Sequence, residues 1–248
     1  MRSHRSLRPL KAWRYVGVFG PELMLCLAVV RVGRARQSFW AVWDREAQRL
    51  HERTALGRGP VTLAPGSARV EDRGIRLELS LNETGGIECV CPSGDGYVWT
   101  RKQGGVRASG ILTLDGATRV FEARAVIDDT AGYHTRHTSW RWSAGVGEAT
   151  DGREVAWNLV AGVNDPPRDS ERTVWIDRLP TEPPPSAFTE QGVDGLRFHA
   201  EATRAHKDNF VLVRSSYSQP FGTFSGALPG GVELAAGYGV TETHDARW

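Results

Sequence analysis

The sequence predicts an all-β protein of two antiparallel domains, barrel or sandwich in form, with little helix. Three observations carry this reading. Apolar runs of strand length recur along the whole chain, each closed by a turn signal. Nowhere do apolar residues repeat at helical spacing for three clear turns. The 248 residues include 28 glycines and nine tryptophans, the glycine share above the roughly 7% of an average protein, as turn punctuation between aromatic strands requires.

Taken in order, "WRYVGVF" (13–19) meets "LMLCLAVVRV" (23–32) across Gly20-Pro21-Glu22, a hairpin signal. "RQSFWAVWD" (36–44) turns at Asp44-Arg45-Glu46; continued to residue 54 it is the best helix candidate, but its aromatic start favours a hairpin. In "GIRLELSL", Ile75, Leu77, Leu79 and Leu81 share one face with period two. Asp115-Gly116 and Asp151-Gly152 each join two strand-like runs, and Asp-Gly favours tight hairpins. "RTVWID", "GLRFHAEAT", "NFVLVRSSY" and "GVELAAGYGV" complete the series. "DDTAGY" (128–133) is the most polar break near the middle. It divides the chain into an N-terminal β domain, 1–127, and a C-terminal one, 128–248, each of about 120 residues and large enough for an eight-stranded barrel.

Composition narrows the function classes. Thirty-one basic against 29 acidic residues leave a net charge of +2, which gives no electrostatic case for nucleic acid. The three cysteines, Cys26, Cys89 and Cys91, are an odd and sparse set that suits a reducing cytoplasm. Cys89 and Cys91 share a strand face, but a zinc site needs further soft ligands. Near the start, Arg2, Arg5, Arg8, Lys11 and Arg14 precede "LMLCLAVV" in the manner of a secretion signal. Pro21 and Glu22 interrupt the pattern, no small-x-small cleavage site follows, and eight residues are too few to span a bilayer. The run is therefore expected to be a buried strand behind a frayed basic tail, with no transmembrane segment.

The densest chemistry lies in "TAGYHTRHTSWRWSAG" (130–145). A helix would let His134 and His137 chelate one ion. On a strand their odd separation sends them to opposite faces, so no metal is expected. Alternation groups His134, Arg136, Thr138, Trp140 and Trp142 on one face, and Thr135, His137, Ser139, Arg141 and Ser143 on a second, solvent-facing one. The first face reads either as core capped by two basic groups or as the wall of a barrel-interior cavity. In the second case the indoles stack on a guest and His134 and Arg136 meet its polar head.

Other residues raise the same choice. Asn158, amid the apolar "AWNLVAG", satisfies a backbone group or bonds a ligand. Glu242 and His244 share a face with Tyr238 and Val240, either as an exposed ion pair or as an acid–base couple. No nucleophile elbow, phosphate loop or dinucleotide fingerprint appears, so no cofactor is expected.

The block "IDDTAGYHTRHTSWRWSAGVGEATDGREVAWNLVAGVNDPPRDSERTVWID" (127–177) resembles a bacterial family known as domain of unknown function 2804, as do "FWAVWD", "YVWTRKQ", "QPFGTFSGALPGG" and "HDARW". The resemblance covers most of the chain from about Lys11. It implies a calycin-type fold of two lipocalin-like β domains, distantly akin to the carotenoid 1,2-hydratase and Diels–Alderase families, and it implies hydrophobic guests. Three features depart from the pattern. Members carry a further segment before the start of this chain, so the first strands are expected to be incomplete. Arg178 stands where the family has glycine, and Thr241 where it has methionine.

Two readings from different classes follow. One is a lipocalin-like protein that holds a lipid, isoprenoid or polyketide-like molecule without converting it. The other is a cofactor-independent hydratase, isomerase or cyclase in which Asp128, Asp129 or Glu242 protonates an olefinic guest and Trp140, Trp142 and Trp157 stabilise the cation. An inactive, shortened member is a third. An enzyme needs a carboxylic acid of raised pKa inside the cavity, and a carrier does not.

Overall fold

The computed structural model describes residues 4–5, 8–209 and 214–247, and its regular elements there are all strands. A short pair, β1 (His4–Arg5) with β2 (Arg8–Pro9), precedes two large antiparallel sheets. The first holds β3 (Lys11–Phe19), β4 (Leu23–Val32), β5 (Ala35–Asp44), β6 (Arg49–Leu56), β7 (Val61–Ala64), β8 (Ser67–Asp72), β9 (Ile75–Asn82), β10 (Ile87–Ser93), β11 (Gly96–Leu114) and β12 (Ala117–Gly132). The second holds β13 (His137–Ala149), β14 (Glu154–Ala161), β15 (Thr173–Ile176), β16 (Leu179–Thr181), β17 (Gly192–Val193), β18 (Leu196–Asn209), β19 (Arg214–Leu228) and β20 (Val232–Arg247).

Spatial order is β6-β5-β4-β3-β12-β11-β9-β8-β7 in the first sheet, with β10 also on β11, and β16-β15-β14-β13-β20-β19-β18-β17 in the second. The all-β expectation therefore holds, with ten and eight strands. The helix candidate is the β5–β6 hairpin. Asp115 and Gly116 both take positive φ, 50° and 86°, at the β11–β12 turn, as a primed hairpin turn requires. Of "NFVLVRSSY", residues 210–213 lie outside the described residues, as does the Trp248 of "HDARW".

Alternation builds three cores. Residues of one parity on the first sheet, among them Val16, Leu25, Val42, Leu77, Leu79 and Leu112, fill the inside of that curled sheet. The opposite parity on β3–β5, including Tyr15, Met24, Cys26, Phe39 and Trp43, packs against Trp142, Ala144, Val160 and Phe221 of the second sheet. The far face of the second sheet closes over Trp157, Leu159, Phe224 and Leu234. Because β3–β5 bury both faces, "LMLCLAVV" reads as continuous hydrophobe instead of alternating.

Three local expectations are corrected. Asp128 and Asp129 do not form a break but sit inside β12, so a division after residue 127 falls within that strand; the chain crosses between sheets at 133–136. Polar residues survive mid-strand there because each has a partner: Trp13 and Lys102 for Asp128, Arg14 for Asp129. Lys11 and Arg14 are not in a frayed tail. Lys11 opens β3 and is buried, with Nζ 3.3 Å from the His134 carbonyl oxygen, and Arg14 pairs with Asp129 and Glu83. Ser143 does not face solvent: it is fully buried and accepts a hydrogen bond from Trp157 Nε1 at 3.1 Å.

Candidate active site

A cavity of about 370 Å³ lies between the outer face of the first sheet and the second sheet. It is not the barrel interior expected from the sequence, because the inside of each sheet is filled by its own core. Its walls are aromatic and aliphatic: Trp13, Tyr15, Ala28, Val30 and Phe39 from β3–β5, facing Trp140, Trp142 and Val160. Tyr15 meets Trp142 edge-on at 5.3 Å between ring centres, and the indoles of Trp13 and Trp140 lie parallel at 6.5 Å.

The two parallel indoles serve two different carboxyl groups. Trp140 Nε1 donates to Glu242 Oε1 at 2.9 Å, and Trp13 Nε1 to Asp128 Oδ2 at 3.0 Å. Each acid begins a polar cluster at the cavity wall.

At the first cluster, Glu242 also accepts from Gln219 Nε2 at 2.8 Å. Gln219 is oriented in turn, since its Oε1 accepts from the Tyr15 hydroxyl at 3.4 Å. Cross-strand register places these groups: Glu242 is opposite Trp142, and His244 is opposite both Trp140 and Tyr217. Burial pushes the Glu242 carboxyl up to about 7, against the hydrogen bonds that favour its anion. His244 lies 4.1 Å from the Trp140 ring, shares a 2.8 Å hydrogen bond between Nε2 and Ser215 Oγ, and is pushed by burial down to about 4. Its Nδ1 is 3.9 Å from Glu242, too far for a hydrogen bond. The pair is therefore a buried acid beside a neutral imidazole, and not an exposed ion pair.

At the second cluster, Lys102 Nζ stands 2.7 Å from Asp128 Oδ1 and 3.3 Å from Glu171 Oε1. Asn164 Nδ2 donates to Glu171 at 2.9 Å, and Thr130 to Asp128 at 2.8 Å. Burial opposes the charge of Lys102, but the two carboxylates outweigh it and hold its pKa above the usual lysine value. Burial raises the Glu171 pKa despite the ammonium beside it. His134 adjoins this cluster, only 2% exposed, with burial and then Lys11 pushing it down to about 3. Among the described residues, no three His, Cys, Asp or Glu side chains are grouped to hold a metal ion.

Of the candidate residues from the sequence, Asp128, His134, Trp140, Trp142, Glu242 and His244 meet at the cavity. Four do not. Arg136 is exposed in the crossover between sheets. Asp129 points to the opposite face of β12 from Asp128 and binds Arg14. Trp157 is on the opposite face of β14 from Val160 and packs on Phe224, 4.9 Å away. Asn158 lies behind the wall, accepting from Trp142 Nε1 at 2.7 Å and donating to the Glu171 carbonyl at 2.8 Å. It aligns a wall indole and a polar residue without lining the cavity. His134 and His137 diverge because His134 precedes β13; His137 is exposed and pairs with Asp245 at 2.7 Å. Sequence reasoning missed Lys102, Glu171, Tyr217, Gln219 and Arg204. Alternation through Val98 and Thr100 does carry Lys102 inward, whereas no local signal marks Glu171 in its proline-rich loop.

Trp157→Ala should cost about 3–5 kcal/mol of stability, as removal of a fully buried indole does, while leaving binding of an apolar fluorescent probe to the cavity intact. Chemical denaturation beside probe titration checks this, and loss of binding at full occupancy of the folded state would contradict the placement. His134 and His244, with lowered pKa values, bind fewer protons folded than unfolded, so stability rises with pH from about 3–4 to the ordinary histidine value of 6.5. Glu242, raised from 4.5 to about 7, acts oppositely, its contribution falling as pH rises through that window. Glu242→Gln should therefore steepen the rise of Tm between pH 4.5 and 6.5; an unchanged or shallower rise would count against the burial of the carboxyl.

The fold and cavity define an all-β protein of two lipocalin-like sheets with an aromatic cleft between them. The chain belongs to the family described as domain of unknown function DUF2804, whose model matches residues 61–179 and 185–248. No curated protein matches it in sequence. Its fold is similar to that of an AttH-type protein from Nitrosomonas europaea, at 12% identity and a TM-score of 0.55, covering 97% of this chain and 94% of that one. Kievitone hydratase from Nectria haematococca is similar at 12% identity and a TM-score of 0.55, covering 94% of this chain and 88% of that one. No helix among the described residues is long and apolar enough to cross a membrane.

Proposed function

We propose that the inter-sheet cleft binds a hydrophobic small molecule and that Glu242 acts on it as a general acid, without a cofactor. The observation that carries this is the place of Glu242: a carboxyl group pushed up to about 7 by burial, inside an aromatic cavity. Such a group is protonated often enough near neutrality to donate and acidic enough to do so. Proton transfer from Glu242 to an olefinic carbon forms a C–H bond and leaves a carbocation, which the faces of Trp140 and Trp142 stabilise by cation–π attraction. Addition of water to the cation forms a C–O bond, and the released proton returns to the Glu242 carboxylate; the net change is hydration. Loss of a neighbouring C–H proton to the same carboxylate gives isomerisation instead. A hydratase is among the proteins with this fold, so the scaffold is compatible with this chemistry, but the reading rests on Glu242. On this reading the protein comprises two β domains joined through the 133–136 crossover.

One observation favours the carrier alternative. Both Glu242 oxygens already accept hydrogen bonds, from Trp140 and Gln219, an arrangement that equally suits a fixed polar anchor for a guest oxygen. Extracting the purified protein with organic solvent and identifying the guest by mass spectrometry separates the two. Incubated with the protein in deuterium oxide, that guest should gain carbon-bound deuterium if Glu242 is a catalytic acid. A guest recovered without deuterium would overturn the enzyme reading and leave the carrier.

A further inference from the structure

Beyond the two acid clusters, the cavity wall contains two arginines. Arg204, on β18, is 2% exposed, and its guanidinium lies 3.8 Å from the ring centre of Phe39 and 4.7 Å from that of Tyr217. It reaches from the second sheet to the first, where Nη2 donates to Thr54 Oγ1 at 2.8 Å. Its Nε is buried and has no hydrogen bond; the acid that faces it, Glu52, stands 3.6 Å away with a side chain 37% exposed. Arg36 borders the cavity too, but on β5 it shares the parity of Trp40 and Val42, which face the first sheet's own core, and not that of Phe39. Arg36 sits beside exposed Ala35 and Leu56 and half-buried Val32, which mark the open end.

This contrasts with Lys102, whose ammonium is met at close range by Asp128 and Glu171. A guanidinium is always charged, and removing it from water is costly unless its donors find acceptors. Phe39 and Tyr217 offset part of that cost through their π faces, but rings do not accept at the in-plane N–H groups. Arg204, met only by a partly exposed Glu52 at 3.6 Å, keeps this end of the cavity cationic and able to receive an anion. The neighbouring walls are apolar from Val30 and Phe39 through to Trp142.

We propose that the cleft selects an amphipathic anion: a molecule with an apolar or aromatic body along the indole wall and a carboxylate- or sulfonate-type head held by Arg204. This rests on the reading of the cleft as a ligand cavity and adds the charge of the ligand. It is independent of whether Glu242 performs chemistry.

The test uses two probes of one skeleton, 1-anilinonaphthalene-8-sulfonate and the uncharged N-phenyl-1-naphthylamine, titrated by fluorescence enhancement. The sulfonate should bind roughly tenfold or more tightly than the amine, as a charge-assisted hydrogen bond implies. Arg204→Met should remove most of that preference while changing the affinity of the amine little. Because Arg204 also joins the two sheets, competition on the wild-type protein supplies a measurement without substitution: dodecanoate should displace the bound amine at lower concentration than dodecanol. Equal affinity for the two naphthalene probes, or equal displacement by acid and alcohol, would overturn the anion proposal while leaving the cavity reading intact. Failure of the uncharged amine to bind would count instead against the cavity itself.

Discussion

Glu242→Gln is expected to lower turnover by about 10²–10⁴-fold, the contribution of a positioned general acid, with the fold and guest binding retained. Glutamine matches the shape of the carboxyl group, and its carbonyl oxygen still accepts the hydrogen bond from Trp140 that Glu242 receives at 2.9 Å. The amide has no proton to give to carbon, so binding and chemistry separate. The rate on the wild-type protein should also fall as pH rises above about 7, where burial no longer keeps Glu242 protonated. His244 moves this limb little, since it is already neutral above about 4. Steady-state kinetics on the guest identified by extraction would check both effects. Turnover unchanged in Glu242→Gln would remove this residue from the mechanism.

A stability effect as large as that of Trp157→Ala is expected at Lys102. Lys102→Met leaves Asp128 and Glu171 buried side by side with no cation between them. Breaking a buried ion pair by removing one partner costs about 3–5 kcal/mol, because the remaining charge is uncompensated. For a chain of this size that corresponds to a fall in Tm on the order of 10 °C. The cost should shrink in mild acid, where the orphaned carboxyls take up protons instead of staying charged. Glu171→Gln added to Lys102→Met should recover part of the loss, since it removes one of the two orphaned charges. A Lys102→Met protein as stable as wild type at neutral pH would show that the cluster is not closed from water.

The sequence makes the two-sheet character legible because alternation is a local property. β9 shows it directly, with Ile75, Leu77, Leu79 and Leu81 all inward. The indole wall was legible for the same reason: Trp140 and Trp142 share a parity on one strand. What alternation does not tell is which face of a sheet meets its own core and which meets another sheet. Trp157 has the look of a wall residue, yet its parity on β14 sends it into the second sheet's interior. Asp128 and Asp129 read as a break because isolated polar residues interrupt an apolar run. Their partners, Trp13, Lys102 and Arg14, come from distant segments, and only the assembled sheet brings these together. The same holds for Glu242, which reads as half of a surface ion pair until β13, β19 and the first sheet cover it. Burial is a tertiary fact, and burial is what changes its chemistry.

The most direct test of the central reading is the titration of Glu242 itself. With glutamate labelled by carbon-13 at the side-chain carboxyl, the resonance absent from Glu242→Gln identifies the group. Its shift should titrate with a midpoint near 7. A midpoint in the ordinary glutamate range, near 4.3, would mean an ionised carboxylate at neutral pH and would contradict the assignment of Glu242 as the acid.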